Sequence, residues 1–158
     1  MTNLQKTFME MAIGLSREGM NSGKGGPFGC VIVKDGVVIG KGNNQVLSTN
    51  DPTAHAEVVA IREACKTLRT FQLDGCEIYT SCEPCPMCLG AIYWARPSKV
   101  FFANTRQEAA NAGFDDDFIY QELPLSPSDR KISMIHSPDN AALEVFQEWI
   151  SKEDKKVY

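Results

Sequence analysis

Thr53-Ala-His55-Ala-Glu57 and Cys82-Glu-Pro-Cys85-Pro-Met-Cys88 are the two stretches from which the rest of this 158-residue chain is read. A catalytic zinc takes three protein ligands, usually His and Cys, and keeps its fourth tetrahedral position for water. His55, Cys85 and Cys88 supply that set. Glu57 follows the histidine by two residues, close enough to handle a proton of that water without being a ligand. One zinc ion per chain is the cofactor the pattern points to.

The flanking residues give each stretch a helix start. Asp51-Pro52 predicts one, since aspartate caps helices and proline is tolerated in the first turn. His55 and Glu57 then lie near its amino end. Pro86 predicts a second, and with Cys85 as its cap, Cys85 and Cys88 stand three apart on the same side. Both sulfurs would sit at the positive end of the helix dipole, which favours the metal-binding thiolate.

The cysteines admit other readings. The spacing of Cys82, Cys85 and Cys88 matches the opening of a bacterial ferredoxin motif, but the fourth cysteine would stand at position 92, which is Ile92. A redox Cys-x-x-Cys leaves His55 and Glu57 unexplained. A structural zinc site with Cys82 as fourth ligand stays open, although Glu57 and the three-ligand count favour a catalytic one. Otherwise Cys82 reads as a packed thiol at a strand end, and Cys30, Cys65 and Cys76 as core. His136 has no ligand-like neighbours and reads as a surface or satisfied core histidine.

The length predicts one domain over residues 1–158, large enough for a real core. With 43% hydrophobic and 23% charged residues the composition is that of an ordinary globular protein. No apolar run reaches membrane-spanning length and Met1-Thr-Asn-Leu-Gln-Lys6 has no signal-peptide core, so no membrane and a cytoplasmic location are expected. Sixteen basic against twenty acidic side chains argue against nucleic acid as partner. Three of the six cysteines fall within seven residues, which fits metal ligation better than disulfides.

Leu4, Phe8, Met11 and Leu15 recur at helical spacing and predict an amphipathic first helix that ends around Gly19 and Gly23. Cys30–Lys34 and Val37–Lys41 joined by Asp35-Gly36 predict a hairpin. A polar loop through Asn43-Asn44 leads to the first metal helix, whose inward face would carry Val58, Ile61, Cys65 and Leu68. A strand centred on Cys76–Thr80 ends at Cys82, a helix runs over about 86–95 to Arg96-Pro97, and Lys99–Ala103 is the next strand. Beyond it come a helix over 107–112, a turn-rich acidic segment through Asp115, Asp116 and Asp117, a short last strand at Lys131–Ile135, and a helix carrying Leu143, Phe146 and Ile150.

Hairpin, helix, strand, helix, strand is the alternation of an α/β domain with parallel crossovers. Such crossovers are right-handed. If successive strands are added in one direction, both metal helices lie on one face with their amino ends at the carboxyl edge of the strands, where open α/β sheets bind ligands. His55 and the pair Cys85/Cys88 would converge there for topological reasons.

His-x-Glu with Pro-Cys-x-x-Cys is the general signature of zinc-dependent nucleobase deaminases and is not particular to this chain. Four blocks narrow it: Gly25-Gly-Pro-Phe-Gly29, Asp51-Pro-Thr-Ala-His-Ala-Glu57, the run Tyr79–Arg96, and Ala112-Gly-Phe-Asp-Asp116. With these blocks the sequence resembles the bacterial guanine deaminases of the cytidine deaminase-like superfamily over nearly its whole length. The Gly-Phe-Asp-Asp segment and the terminal tyrosine carry the resemblance to the guanine enzymes in particular.

The resemblance implies a three-layer α/β/α sandwich with a mixed five-stranded sheet. It also implies hydrolysis of guanine, a small-molecule purine, to xanthine and ammonia. A domain-swapped homodimer is implied as well, with the C-terminal segment of about 130–158 exchanged between subunits. By motif position His55, Cys85 and Cys88 would hold zinc and Glu57 would shuttle protons. Asn44 and Asp116 would hydrogen-bond the purine, Phe28 would pack on its ring, the backbone at Ala56 and Glu57 would line the site, and Tyr158 would come from the partner. On the residues alone Asn44 reads as a turn residue, the three aspartates as a solvated loop, Phe28 and Trp94 as core aromatics, and Tyr158 as a chain end. Rival deaminases acting on guanosine, cytosine, cytidine or tRNA adenosine share the signature, and a zinc-stabilised binding module is the rival outside enzymes.

Overall fold

The computed structural model describes residues 1–114 and 116–158; Asp115, read above as part of an acidic loop, lies outside the described residues. The hairpin forms as β1 (Gly29–Lys34) and β2 (Val37–Asn43). Both turn residues have positive φ, 50° at Asp35 and 78° at Gly36, the mirror-image turn whose twist matches that of the paired strands. With β3 (Cys76–Cys82) and β4 (Lys99–Asn104) the sheet is ordered β2-β1-β3-β4. β1 is antiparallel to both neighbours, and β3 is parallel to β4. The steps β2 to β3 and β3 to β4 are therefore parallel crossovers in one direction, carrying α3 (Ala56–Leu68) and α4 (Pro86–Ala95).

Side-chain alternation divides the core between the two faces of the sheet. Cys30, Ile32 and Ile78 point towards Ala56, Ala60 and Ala64 of α3 and Ile92 and Ala95 of α4. Val31, Val33 and Tyr79 point the other way, towards Phe8, Met9 and Ala12 of α1 (Asn3–Asn21). This is the α/β/α layering expected, with both metal helices on one face. Trp94, one of the expected core aromatics, is 64% exposed on α4.

Several local expectations need correction. The stripe that α1 buries is Phe8, Met9, Ala12 and Gly19, while Leu4 is exposed. Gly19 lies inside α1, where a Cβ would come within 2.9 Å of Asn43 Cβ; the helix ends at Ser22, and Gly23 takes the positive φ. Asp51 does not start α3. Its carboxylate accepts the N–H and O–H of Thr53 at 2.8 and 2.7 Å, a local turn that competes with capping. A short α2 (Val46–Thr49) precedes it, and the N-cap of α3 is His55.

The most buried face of α3 is Ala56, Ala60 and Ala64, with Val58 only half-buried and Ile61, Cys65 and Leu68 on its flank. Glycines on β2 explain this. A Cβ on Gly40 would lie 2.8 Å from Ala64 Cβ, and one on Gly42 would lie 2.7 Å from Ala60 N. Small residues on both elements let helix and strand backbones approach.

Contacts divide the chain into two compact units, Met1–Asp117 and Phe118–Tyr158. The first ends with α5 (Arg106–Asn111), started by a reciprocal Thr105/Glu108 cap. α6 (Asp117–Glu122) forms where only turns were expected. The second unit holds α7 (Asn140–Ser151), whose Asp139 cap accepts Ala141 N–H at 2.8 Å. The sheet has four strands among the described residues, not five, because Lys131–Ile135 is not a strand. A strand needs a ladder neighbour, and this run has none here; Ile132 and Ile135 are 80% and 88% exposed. The expected core face of α7 is also open, with Leu143, Phe146 and Ile150 all exposed. No described helix is long and apolar enough to cross a membrane.

Candidate active site

His55 and Cys85 are the N-caps of α3 and α4, each with extended backbone just before its helix turns. The crossovers bring those two helix starts together. His55 Nδ1 lies 3.5 Å from Cys85 Sγ and 3.5 Å from Cys88 Sγ. Among the described residues, His55, Cys85 and Cys88 bring their ligand atoms within 4.8 Å of one another. Zinc bonds of about 2.3 Å to sulfur and about 2.0 Å to nitrogen at a tetrahedral angle place nitrogen and sulfur about 3.5 Å apart, so the set fits that ion.

Cys82 stands apart from this group. Its Sγ faces Thr105 O at 3.7 Å, and burial, followed by the charge of Glu57, pushes its thiol up to about 11. Cys85 behaves in the opposite way. A hydrogen bond from Cys88 and then one with His55 lower its thiol, the direction that favours a metal-binding thiolate. The His55 imidazole is raised, first by its hydrogen bond to Cys85.

Glu57, in the first turn of α3, is only 5% exposed, and that burial raises its carboxyl pKa. Oε1 accepts a hydrogen bond from Thr80 Oγ1 at 2.9 Å, and Oε2 lies 3.3 Å from Cys88 Sγ. A buried carboxyl whose pKa is drawn upward, beside a three-ligand metal set, is placed as a general acid–base group.

A cavity of about 220 Å³ opens onto this group. Phe28, Asn44, His55, Glu57, Cys85 and Asp116 line it, so these expected residues share one space. Phe28 meets Phe114 edge to face, with centroids 4.9 Å apart, which makes an aromatic corner. Asn44 is buried and also does the turn work expected of asparagine, its Oδ1 accepting Val46 N–H at 3.2 Å. Gly25 makes room for it, since a Cβ there would lie 2.8 Å from Asn44 O. Ala56 is fully buried and could offer only its backbone, in the first helical turn where N–H groups lack intrahelical partners. Tyr158 belongs to the second unit and is 66% exposed.

Sequence reading missed Thr80, Phe114, Glu83 and Arg106. The last three also line the cavity, and Glu83 Oε2 accepts the Arg106 N–H at 3.0 Å. A signal for Thr80 existed in the alternation of β3, which turns it to the same side as Ile78.

Residues 2–104 match the model of the cytidine and deoxycytidylate deaminase zinc-binding region. Over 153 residues the chain is 56% identical to a guanine deaminase of Bacillus subtilis (strain 168), covering 97% of this chain and 98% of that protein. The X-ray structure of guanine deaminase from Bacillus subtilis matches with a TM-score of 0.96 at 54% identity, covering 100% of this chain and 99% of that one. A tRNA-specific adenosine deaminase of Aquifex aeolicus (strain VF5) is 44% identical over 96 residues, 61% of this chain and 63% of that protein.

Proposed function

Because this chain belongs to the cytidine and deoxycytidylate deaminase zinc-binding family, we propose that it is a zinc-dependent guanine deaminase, converting guanine and water to xanthine and ammonia. The observation that carries the substrate is the likeness to the Bacillus subtilis guanine deaminase over 97% of the chain, against 61% for the tRNA-specific enzyme.

His55, Cys85 and Cys88 would hold one zinc. When bound, the ion would supply a Lewis acid that brings the pKa of water towards neutrality. Glu57 takes a proton from the attacking water and delivers it to the ring nitrogen next to C2, which makes that carbon more electrophilic. The water oxygen bonds to C2, Glu57 takes the second proton from the resulting C2 hydroxyl and passes it to the amine as the C2–N bond breaks, leaving ammonia and the C2 carbonyl of xanthine. One carboxylate serves as base and then acid because it regains a proton at each stage. Asn44 and Asp116 hydrogen-bond the purine edge, Phe28 packs on its face, and the backbone at Ala56 and Glu57 borders it. Burial supports Glu57 in this role, since it raises the carboxyl pKa towards the working pH.

The working form in this reading is a homodimer that exchanges the segment of about 130–158 within an otherwise single domain of residues 1–158. The partner subunit's Tyr158 then closes each site. Supporting this are the exposed apolar side chains of that segment, Ile132, Ile135, Leu143, Phe146 and Ile150. The reducing cytoplasm suits a site that depends on free thiolates.

The test is ammonia release by the zinc-loaded protein from guanine, guanosine, adenine, cytosine and cytidine. Guanine should be the preferred substrate. Faster turnover of guanosine, or of any of the other three, would overturn the substrate while leaving the chemistry.

A further inference from the structure

Glu57 is a flexible side chain, and as a proton carrier it must present one oxygen to the reaction in a fixed direction. Its Oε1 accepts a hydrogen bond from Thr80 Oγ1 at 2.9 Å, while Oε2, on the side of the ligand set, accepts one from the ligand thiol of Cys88 at 3.3 Å. Thr80 is 1% exposed and sits opposite Cys30 in the β1–β3 ladder. The other buried side chains on that face, Cys30, Ile32, Cys76 and Ile78, carry no oxygen. Packing does not ask for a hydroxyl there, because valine has the same shape and suits a buried strand as well. A buried hydroxyl needs a partner, and here that partner is the Glu57 carboxylate. Threonine is stiff at χ1, so the anchor is itself fixed by the strand.

We propose that Thr80 is the positioning residue of the deamination: its hydroxyl fixes Glu57 Oε1 and so leaves Oε2 as the oxygen that carries the proton. The inference rests on the reading of Glu57 as proton carrier given above. Second-layer hydrogen bonds of this kind hold a reacting group within a fraction of an ångström of its productive position.

Thr80→Val and Thr80→Ser test this beside the wild type, with zinc content, thermal midpoint, kcat and KM for guanine, and crystal structures of the zinc-loaded proteins. Thr80→Val should keep its zinc and its KM while kcat falls roughly tenfold or more, as follows from losing a hydrogen bond to a charged group. Its Glu57 carboxylate should be rotated or spread over several conformers, and Thr80→Ser should restore most of the rate. Wild-type kcat in Thr80→Val would overturn the proposal, as would Thr80→Ser as slow as Thr80→Val, or Glu57 unmoved in the Thr80→Val crystal. A wild-type protein silent on guanine would sink the deaminase reading and this role with it, an outcome separable from the others because it needs no variant.

Discussion

Glu57 and the three ligands divide the work between charge and position. Hydrogen bonds with Cys88 and His55 lower the Cys85 thiol, whereas burial raises the Glu57 carboxyl. The second sulfur ligand, Cys88, is raised as well, first by its hydrogen bond with Cys85, so what sets Glu57 apart from the ligands is its place beside them. Glu57→Gln keeps the shape and hydrogen-bonding capacity of the side chain but cannot accept and return a proton. It should retain zinc and lose about 10²- to 10⁴-fold in kcat for guanine, the usual weight of general acid–base catalysis. Metal analysis and an ammonia assay on the same sample check this; near-normal turnover would remove the shuttle.

At the scale of elements, site geometry depends on how tightly α3 lies on β2. Gly40 and Gly42 face Ala60 and Ala64 with no space for a Cβ, and His55 is the cap of that helix. Gly42→Ala should therefore destabilise the protein by about 1–3 kcal/mol, the range for overpacking, and weaken zinc retention by lifting the helix start. Gly14→Ala in the exposed part of α1, where a Cβ meets nothing within 4 Å, should not destabilise. Urea unfolding of both variants with zinc analysis decides it, and equal stabilities would contradict the close seat. The same elements show what sequence could reveal. The hairpin was legible because Asp35-Gly36 allows only one kind of turn, and α4 because Pro86 and Arg96-Pro97 bracket it. The start of α3 was not legible, since Asp51 could cap a helix or hold Thr53, and only packing selects between them. The alanine face of α3 was missed because the reading sought large apolar residues where glycines opposite demand small ones. The ligands were legible because their spacing is local. Thr80 and Phe114 were not, because strand alternation and chain convergence bring them to the site.

The whole molecule leaves apolar surface open when taken as one chain. Tyr93 and Trp94 on α4 are 76% and 64% exposed, and Leu143, Phe146 and Ile150 on α7 are open as well. Exposed apolar side chains gathered on one element mark association surfaces, and the proposed exchange offers those of α7 a partner. Light scattering should give twice the 17.5 kDa chain mass; a mass of one chain would contradict the dimer. The central claim, that one imidazole and two thiolates hold a zinc with a position left over for water, is tested most directly by zinc X-ray absorption of the loaded protein. The account predicts one zinc per chain with two sulfur neighbours at about 2.3 Å and two nitrogen or oxygen neighbours at about 2.0–2.2 Å. Three sulfurs around the ion would mean that Cys82 had closed the site, and would contradict it.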